Sequence, residues 1–315
     1  MVITGRISLV RAPNPSAMTL SGTNTYIVDC GAGEAVCIDP GPAIERHVEA
    51  ILARVKTMHC RIALIALTHT HPDHAPAAAL LKARTGAPVA ASARTEYPHD
   101  IALRDGDELP AGEKPLVAIE TPGHTFDHLV FYDRPDKALF TGDTVLGEGF
   151  VVIAPPNGAM RPYVNSLQRL LDQFADARVI CGGHGEPVNE PRAKLQEYLD
   201  HRRSRERELL AALQGEERTI PQLVEAIYAQ TPRALWPAAA RQMLAYLIAL
   251  ENEGRVRSRE LPRALDSSEH AILNPEWESI VGPEHARTVE EELGAMLRLD
   301  VLRAYSATER TILPN

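Results

Sequence analysis

Apolar positions in the first two hundred residues come in short runs separated by polar turns, and the spacing within each run predicts the element. Thr23 to Val28 and Ala35 to Ile38 read as two strands joined by the glycine-rich turn Gly31-Ala32-Gly33-Glu34, a hairpin signal. Asp39-Pro40-Gly41-Pro42 breaks the second strand, and Ile44 to Lys56 then sets Ile44, Val48, Ile51, Leu52 and Val55 at helical spacing. Ile62 to Leu67 is apolar without interruption, as expected of a strand covered on both faces. The polar segment Thr68 to His74 follows it. Pro76 to Arg84 then predicts a helix with proline in its first turn, closed by Gly86. Further short strands are predicted at Val89 to Ala91, Val117 to Glu120, Leu129 to Tyr132, Ala138 to Phe140 and Arg178 to Ile180, with a helix at Tyr163 to Phe174. Strands interleaved with both helices and hairpins predict a mixed α/β architecture.

The pattern changes after residue 190. Glu190 to Leu213 predicts one long helix whose interleaved arginines and glutamates suit a solvated face and a connector. Thr219 opens a helix over Pro221–Gln230, a second runs from Pro237 to Glu253 and stops at Gly254, and Arg255 to Arg259 reads as a small wing strand. That order is a relative of the helix-turn-helix. In the tail, Glu284 to Tyr305 carries a helical stripe (Val289, Leu293, Met296, Leu297, Val301). Three regions are therefore expected: 1–200, the large α/β domain; 201–257, winged-helix-like; and 258–315, an acidic extension with one helix.

Composition narrows the function classes. The 315 residues are 44% hydrophobic and 24% charged, as in a soluble globular protein. Net charge is −9, divided as −6 over 1–200, +2 over 201–257 and −5 over 258–315, so no region has the basic balance of a dedicated nucleic-acid binder. Two divalent ions in a cleft would nevertheless add four positive charges locally. Met1 to Ser16 lacks the apolar run of a signal peptide, and no stretch is long enough to span a bilayer. Cys30, Cys37, Cys60 and Cys181 are scattered. If Cys30 faces Ala35 across the hairpin, Cys37 faces Val28 and no disulfide forms, so all four are read as reduced thiols in a cytoplasmic protein.

The candidate chemistry is concentrated in Thr68-His69-Thr70-His71-Pro72-Asp73-His74. His69 and His71, two apart in an extended segment, project to one side. Asp73 and His74 come as the chain turns into the next helix, so one loop offers two imidazoles to one metal and a carboxylate with an imidazole to a second. Imidazole and carboxylate suit zinc. Three later turns repeat the order strand, glycine, candidate ligand: Gly123-His124, Gly142-Asp143 and Gly183-His184. Together they complete a seven-residue set in which Asp143 is free to bridge.

The order H-x-H-x-D-H, then His, Asp and His, resembles the metallo-β-lactamase superfamily in its glyoxalase II-like form. By that resemblance His69, His71 and His124 bind one metal and Asp73, His74 and His184 the other, with Asp143 bridging, in an αββα sandwich. A closer likeness runs through Asn14-Pro15, Met18-Thr19-Leu20, Gly22-Thr23-Asn24-Thr25-Tyr26, Leu146-Gly147-Glu148-Gly149, Tyr163-Val164-Asn165-Ser166-Leu167 and His201-Arg202. These residues are similar to the β-lactamase-like protein 2 branch, which carries a C-terminal winged helix and includes a single-stranded-RNA endoribonuclease and related thioesterases. The likeness covers about residues 8–257.

The resemblance implies a hydrolase with two zinc ions, iron or manganese being the alternatives, which uses a metal-bound hydroxide oriented by Asp73. Bound water falls in pKa from 15.7 to about 7 in such sites. The favoured substrate is an ester or thioester of a small molecule or acyl carrier, because Phe150 to Arg161 is an apolar segment expected to line the cleft. Asn24 and Tyr163 are the expected substrate contacts. The alternative is cleavage of single-stranded RNA. Against it, the helix Pro237–Glu253 offers only Arg241 as a base, where phosphate contact needs several. The winged helix is thus read as a packing or homodimer-forming module. A redox reading also exists, since the superfamily includes iron proteins, but its diiron oxidases replace the second motif histidine with a carboxylate, and here that position is His71.

Overall fold

The computed structural model describes residues 1–276, 290 and 299–308. They form two compact units, one of residues 1–151 with 165–196 and the other of 152–164 with 197–315.

The first unit is built on two sheets. Strands β1 (Ile7–Arg11), β2 (Asn24–Gly31), β3 (Glu34–Ile38), β4 (Arg61–Ala66), β5 (Val89–Ser92) and β6 (Ile101–Leu103) lie side by side in chain order. The β1–β2 and β2–β3 pairs are antiparallel and the rest parallel. The second sheet has the order β10-β9-β8-β7, from β7 (Val117–Glu120), β8 (Leu129–Asp133), β9 (Ala138–Gly142) and β10 (Val179–Gly182). A shared core joins the inner faces, with Tyr26, Val28, Val36, Ile38 and Leu64 from the first sheet meeting Ala118, Phe131, Phe140 and Cys181 from the second. The outer face of the first sheet is covered by α1 (Glu45–Thr57) and α2 (Ala77–Thr85), which supply Val48, Ile51, Val55, Ala78 and Leu81 to a second core. On the outer face of the second sheet, Phe174, just past α3 (Met160–Gln173), packs its ring tilted against Tyr132, centroids 4.8 Å apart. The layers are αββα. Because both faces of the first sheet are buried, its parallel strands read as continuous apolar runs rather than alternating ones.

Most predicted elements are present, with differences that have physical causes. β1 and β6 escaped prediction because each is short and flanked by polar residues. A register shift between Asp29 and Gly31 sets Cys37 opposite Ile27 instead of Val28. Cys30 points into the inter-sheet core and Cys37 into the helix-side core, so the two thiols occupy opposite faces and stay free.

The second unit contains the C-terminal part of α4 (Pro191–Ala212), then α5 (Ile220–Ile227), α6 (Trp236–Asn252) and α7 (Ser267–Leu273). Thr219 caps α5 through a reciprocal bond pair with Gln222. A three-stranded sheet of order β11-β13-β12 joins Arg218–Thr219, Arg303–Ala307 and Val256–Glu260. Two expectations are corrected here. The expected extension 258–315 does not begin where the winged helix ends, since Arg303–Ala307 form β13, the middle strand of the winged-helix sheet. The tail helix predicted over 284–305 falls largely outside the described residues, but its end is wrong, because Arg303–Ala307 pair as a strand. Ala304, Tyr305 and Ser306 are buried in succession in β13, a strand paired on both sides rather than the face of a helix.

Within this unit the buried Arg202 guanidinium lies over the Tyr163 ring, 5.0 Å from its centre. It donates to Gln242 Oε1 at 3.1 Å, and the same oxygen accepts from the Ile153 N–H at 3.0 Å. Among the described residues no helix is long and apolar enough to cross a membrane.

One ion pair fastens the two sheets of the first unit. Arg6 Nη2 donates to both carboxylate oxygens of the fully buried Asp133 at 2.6 Å and Arg6 Nη1 to Asp29 O at 3.1 Å. Asp133→Ala is expected to lower unfolding free energy by about 3 kcal/mol, because it leaves the Arg6 guanidinium only the looser contact with Asp136, 3.5 Å from its Nε, in place of the buried two-oxygen pair. The shift in urea midpoint against wild type checks this.

Candidate metal centre

The seven candidate ligands leave the sheets at one end, in the turns after β4, β7, β9 and β10, and Asp39 ties the first of these turns in place. At the end of β3 its N–H donates to Ala66 O at 2.9 Å, while its carboxylate accepts from Thr68 N at 2.7 Å and Thr68 Oγ1 at 2.6 Å. Two glycines let the remaining turns close in. Gly142 has φ +45°, and a Cβ there would stand 2.4 Å from Thr68 Oγ1. A Cβ at Gly183 would stand 2.3 Å from Asp143 Oδ1 and 2.7 Å from His74 Cε1. Neither position admits a side chain.

All seven side chains are brought together and all are buried. His69 Nε2 and His124 Nε2 each lie 3.1 Å from His71 Nδ1. Asp73 Oδ2 lies 3.2 Å from both His74 Nε2 and His184 Nε2. Each trio has its donor atoms within 4.8 Å of one another. Asp143 stands between them, with Oδ1 3.5 Å from His74 Nε2, and Oδ2 3.5 Å from His184 Nε2 and 3.9 Å from His124 Nε2.

The donor set fits divalent cations. His74 Nε2 and Asp143 Oδ1 are buried with no hydrogen-bond partner among the described residues, a costly state that a cation would relieve. Charge points the same way. Burial and the neighbouring imidazoles hold His69 well below its ordinary pKa, and burial beside His124 takes His71 down to about 3. Both shifts favour the neutral ring, the form that ligates a cation. In the other trio burial pushes His74 and His184 down, but the carboxylates of Asp73 and Asp143 outweigh it, leaving His74 well above the usual value and His184 at about 10. Burial acts upward on Asp73 and Asp143, yet the imidazoles hold both carboxyls below their ordinary range. Two carboxylates sealed among five imidazoles demand positive charge.

A supporting layer fixes the rings, and most of it was not singled out from sequence. Asp39 Oδ2 lies 3.0 Å from His74 Nδ1, Thr68 Oγ1 3.0 Å from His69 Nδ1, and Thr23 Oγ1 donates to Asp73 Oδ2 at 2.7 Å. Asp39, His69 and His74 also form a close trio. Its aspartate already accepts from Thr68 and engages Nδ1 of His74, which suits an orienting role. His128, four residues after His124, stacks on His69 at 4.9 Å and accepts the Asp143 N–H at Nε2 (3.2 Å). Its Nδ1 lies 3.0 Å from Thr121 Oγ1. Part of the signal was present, since Asp39 directly follows a strand, though without the glycine that precedes His124, Asp143 and His184, and His128 directly precedes a strand.

The two expected substrate contacts have other engagements. Asn24 donates through Nδ2 to Gly182 O at 3.0 Å and Gly185 O at 2.8 Å, and accepts from Arg11 Nε at 2.9 Å, so it braces the His184 turn. Tyr163 belongs to the second unit, where it is fully buried beneath Arg202.

Comparison with known proteins agrees with this geometry. A family model described as the metallo-beta-lactamase superfamily matches residues 18–184, and one described as the beta-lactamase associated winged helix domain matches 219–262. A beta-lactamase-like protein 2 homolog of Drosophila melanogaster is 33% identical, the match covering 81% of this chain and 91% of that protein. An atrochrysone carboxyl ACP thioesterase of Aspergillus fumigatus is 34% identical over 73% of this chain and 76% of its own length. Among solved structures, a metallo-beta-lactamase family protein from Thermus thermophilus superposes with a TM-score of 0.67 at 24% identity, covering 82% of this chain and 97% of that one, a likeness of fold. The resemblance to the β-lactamase-like protein 2 branch, and the winged helix it implied, are borne out.

Asp39→Asn should keep the fold but weaken retention of divalent metal by about 10- to 100-fold, because it removes the carboxylate behind His74. Competition with a chromogenic chelator measures the change, and retention equal to wild type would deny Asp39 that role.

Proposed function

The chain belongs to the metallo-β-lactamase superfamily, and from that premise we propose a hydrolase that works with two divalent ions, zinc in the first instance, on an ester or thioester of a small molecule or carrier-bound acyl group. The observation that carries the two-ion reading is Asp143, whose carboxylate lies 3.5–3.9 Å from nitrogens of both trios. His69, His71 and His124 would hold one ion, and Asp73, His74 and His184 the other. Iron or manganese would fit the same donors. An imidazole at His71, in place of a carboxylate, favours zinc.

When bound, such a pair supplies a water acidified toward neutral pKa and a Lewis-acid pull on the oxygen that gains charge. The chain's own residues do the rest. Thr23 Oγ1 fixes Oδ2 of Asp73, leaving Oδ1 to accept a hydrogen bond from the attacking water and turn its lone pair toward the acyl carbon. Water's oxygen bonds to that carbon, the carbon–sulfur bond breaks, and the departing thiolate takes up a proton lost by the water, leaving a carboxylic acid and a thiol. His128 and Asp39 keep rings and carboxylates from turning as charge moves.

The acyl reading draws support from the relative named as a carrier-protein thioesterase. The state of α6 supports it over RNA cleavage. Pro237 to Leu247, Ala249 and Leu250 are all buried, and Arg241, the one base expected to meet a groove, is 2% exposed and donates to Leu273 O at 3.2 Å. On the wing, Arg259 pairs with Glu217 and Arg303 with Glu260. Such a surface offers phosphates little. Four free cysteines accord with a cytoplasmic setting.

Purified protein is expected to contain about two equivalents of metal and to hydrolyse acyl thioesters, with Asp73→Asn reducing kcat by at least about 100-fold. Metal analysis and parallel assays on a thioester, a simple phosphodiester and single-stranded RNA test this. RNA cleavage abolished by Asp73→Asn, without thioester turnover, would reverse the assignment.

A further inference from the structure

The loop between β7 and β8, Thr121–His128, is held along almost its whole length. Thr121 N–H donates to His128 O at 3.0 Å and Gly123 N–H to Thr125 O at 2.9 Å. Ser166 Oγ donates to Pro122 O at 2.8 Å. Asp127 Oδ2 accepts from Thr70 Oγ1 at 2.9 Å, and Thr70 lies between His69 and His71. His124, Thr125 and His128 are buried.

Phe126 is the exception, with 48% of its surface open. Among the described residues the other large apolar side chains left so open are Met1 and Val2 at the start of the chain, and Leu235, Ile248 and Val301 in the second unit. A single exposed hydrophobe ordinarily needs no explanation. This one is set by a fixed backbone, two residues from His124 and one from the aspartate pinned between His69 and His71. Apart from Met1 and Val2 at the start of the chain, no other large apolar side chain of the first unit among the described residues is left so open, and this one is an aromatic ring on a ligand loop.

We propose that Phe126 determines specificity, its ring receiving an apolar acyl group, alkyl or aryl, of the substrate. This rests on the acyl-hydrolase reading above. The thiol arm of a carrier is amide-rich and gains little from a phenyl face, whereas an alkyl or aryl acyl chain leaves water by covering one. Because the loop is already ordered, the contact costs little additional entropy.

The test uses acetyl, octanoyl and benzoyl thioesters of one small thiol with the metal-loaded enzyme. Phe126→Ala should raise KM for the octanoyl and benzoyl substrates about tenfold and leave the acetyl substrate, kcat and metal content unchanged. Phe126→Leu should recover most of the loss. An equal effect on all three substrates, or none, overturns the proposal. Calorimetric binding of octanoate against acetate needs no turnover. A preference for octanoate that disappears in Phe126→Ala upholds the contact even if no thioester is cleaved, in which case only the hydrolase reading falls. No preference in wild type, or one indifferent to the substitution, sinks the role of Phe126.

Discussion

Burying two carboxylates among imidazoles is the constraint around which the first unit is organised. Asp73 and Asp143 have little access to water, and each lies within 3.5 Å of two histidine nitrogens. A charge so placed is tolerated only where neighbours and a rigid frame hold compensation in register. The frame is the pair of sheets, whose strand ends converge so that turns distant in sequence meet. Asp39 joins the ends of β3 and β4 before any ligand is counted. Gly142 and Gly183 then allow backbone to approach where a methyl group would collide with Thr68 or Asp143. Scaffold and site are one set of contacts, and a change in either is felt in both.

Much of this was legible in the sequence for a physical reason. Ligand residues cannot pack as core and cannot stand as loop filler at such density, so His69, His71, Asp73 and His74 declare themselves, and the three glycine-led turns complete the set. The supporting layer was harder to see. A lone Asp39 after a strand, or a His128 before one, has many structural uses, and only the distances to His74 and Asp143 reveal which applies. Asn24 and Tyr163 were recognisable as residues that matter without disclosing how. One braces the His184 turn, and the other lies under a guanidinium.

The second unit illustrates where local pattern misleads. Its helix–helix–wing order suggests a reader of grooves, yet α6 is buried along nearly its whole length, and its arginine serves a carbonyl of α7. A helix placed where a recognition helix would lie is spent on internal packing. Arg202, Gln242 and the Ile153 N–H make a small polar network inside that packing, invisible to periodicity because two members are polar side chains and the third is a backbone group.

The placement of β13 has a consequence for how the polypeptide is made. Arg303–Ala307 lies between β11 and β12, whose residues are synthesised some forty to ninety positions earlier. Until residue 307 emerges from the ribosome, those two segments have no common neighbour, and their backbone groups stay open to water or to other nascent chains. Closure of this small sheet therefore waits until residue 307 has been made. A chain stopped at residue 262, where the winged-helix match ends, would carry both outer strands and never receive the one that joins them.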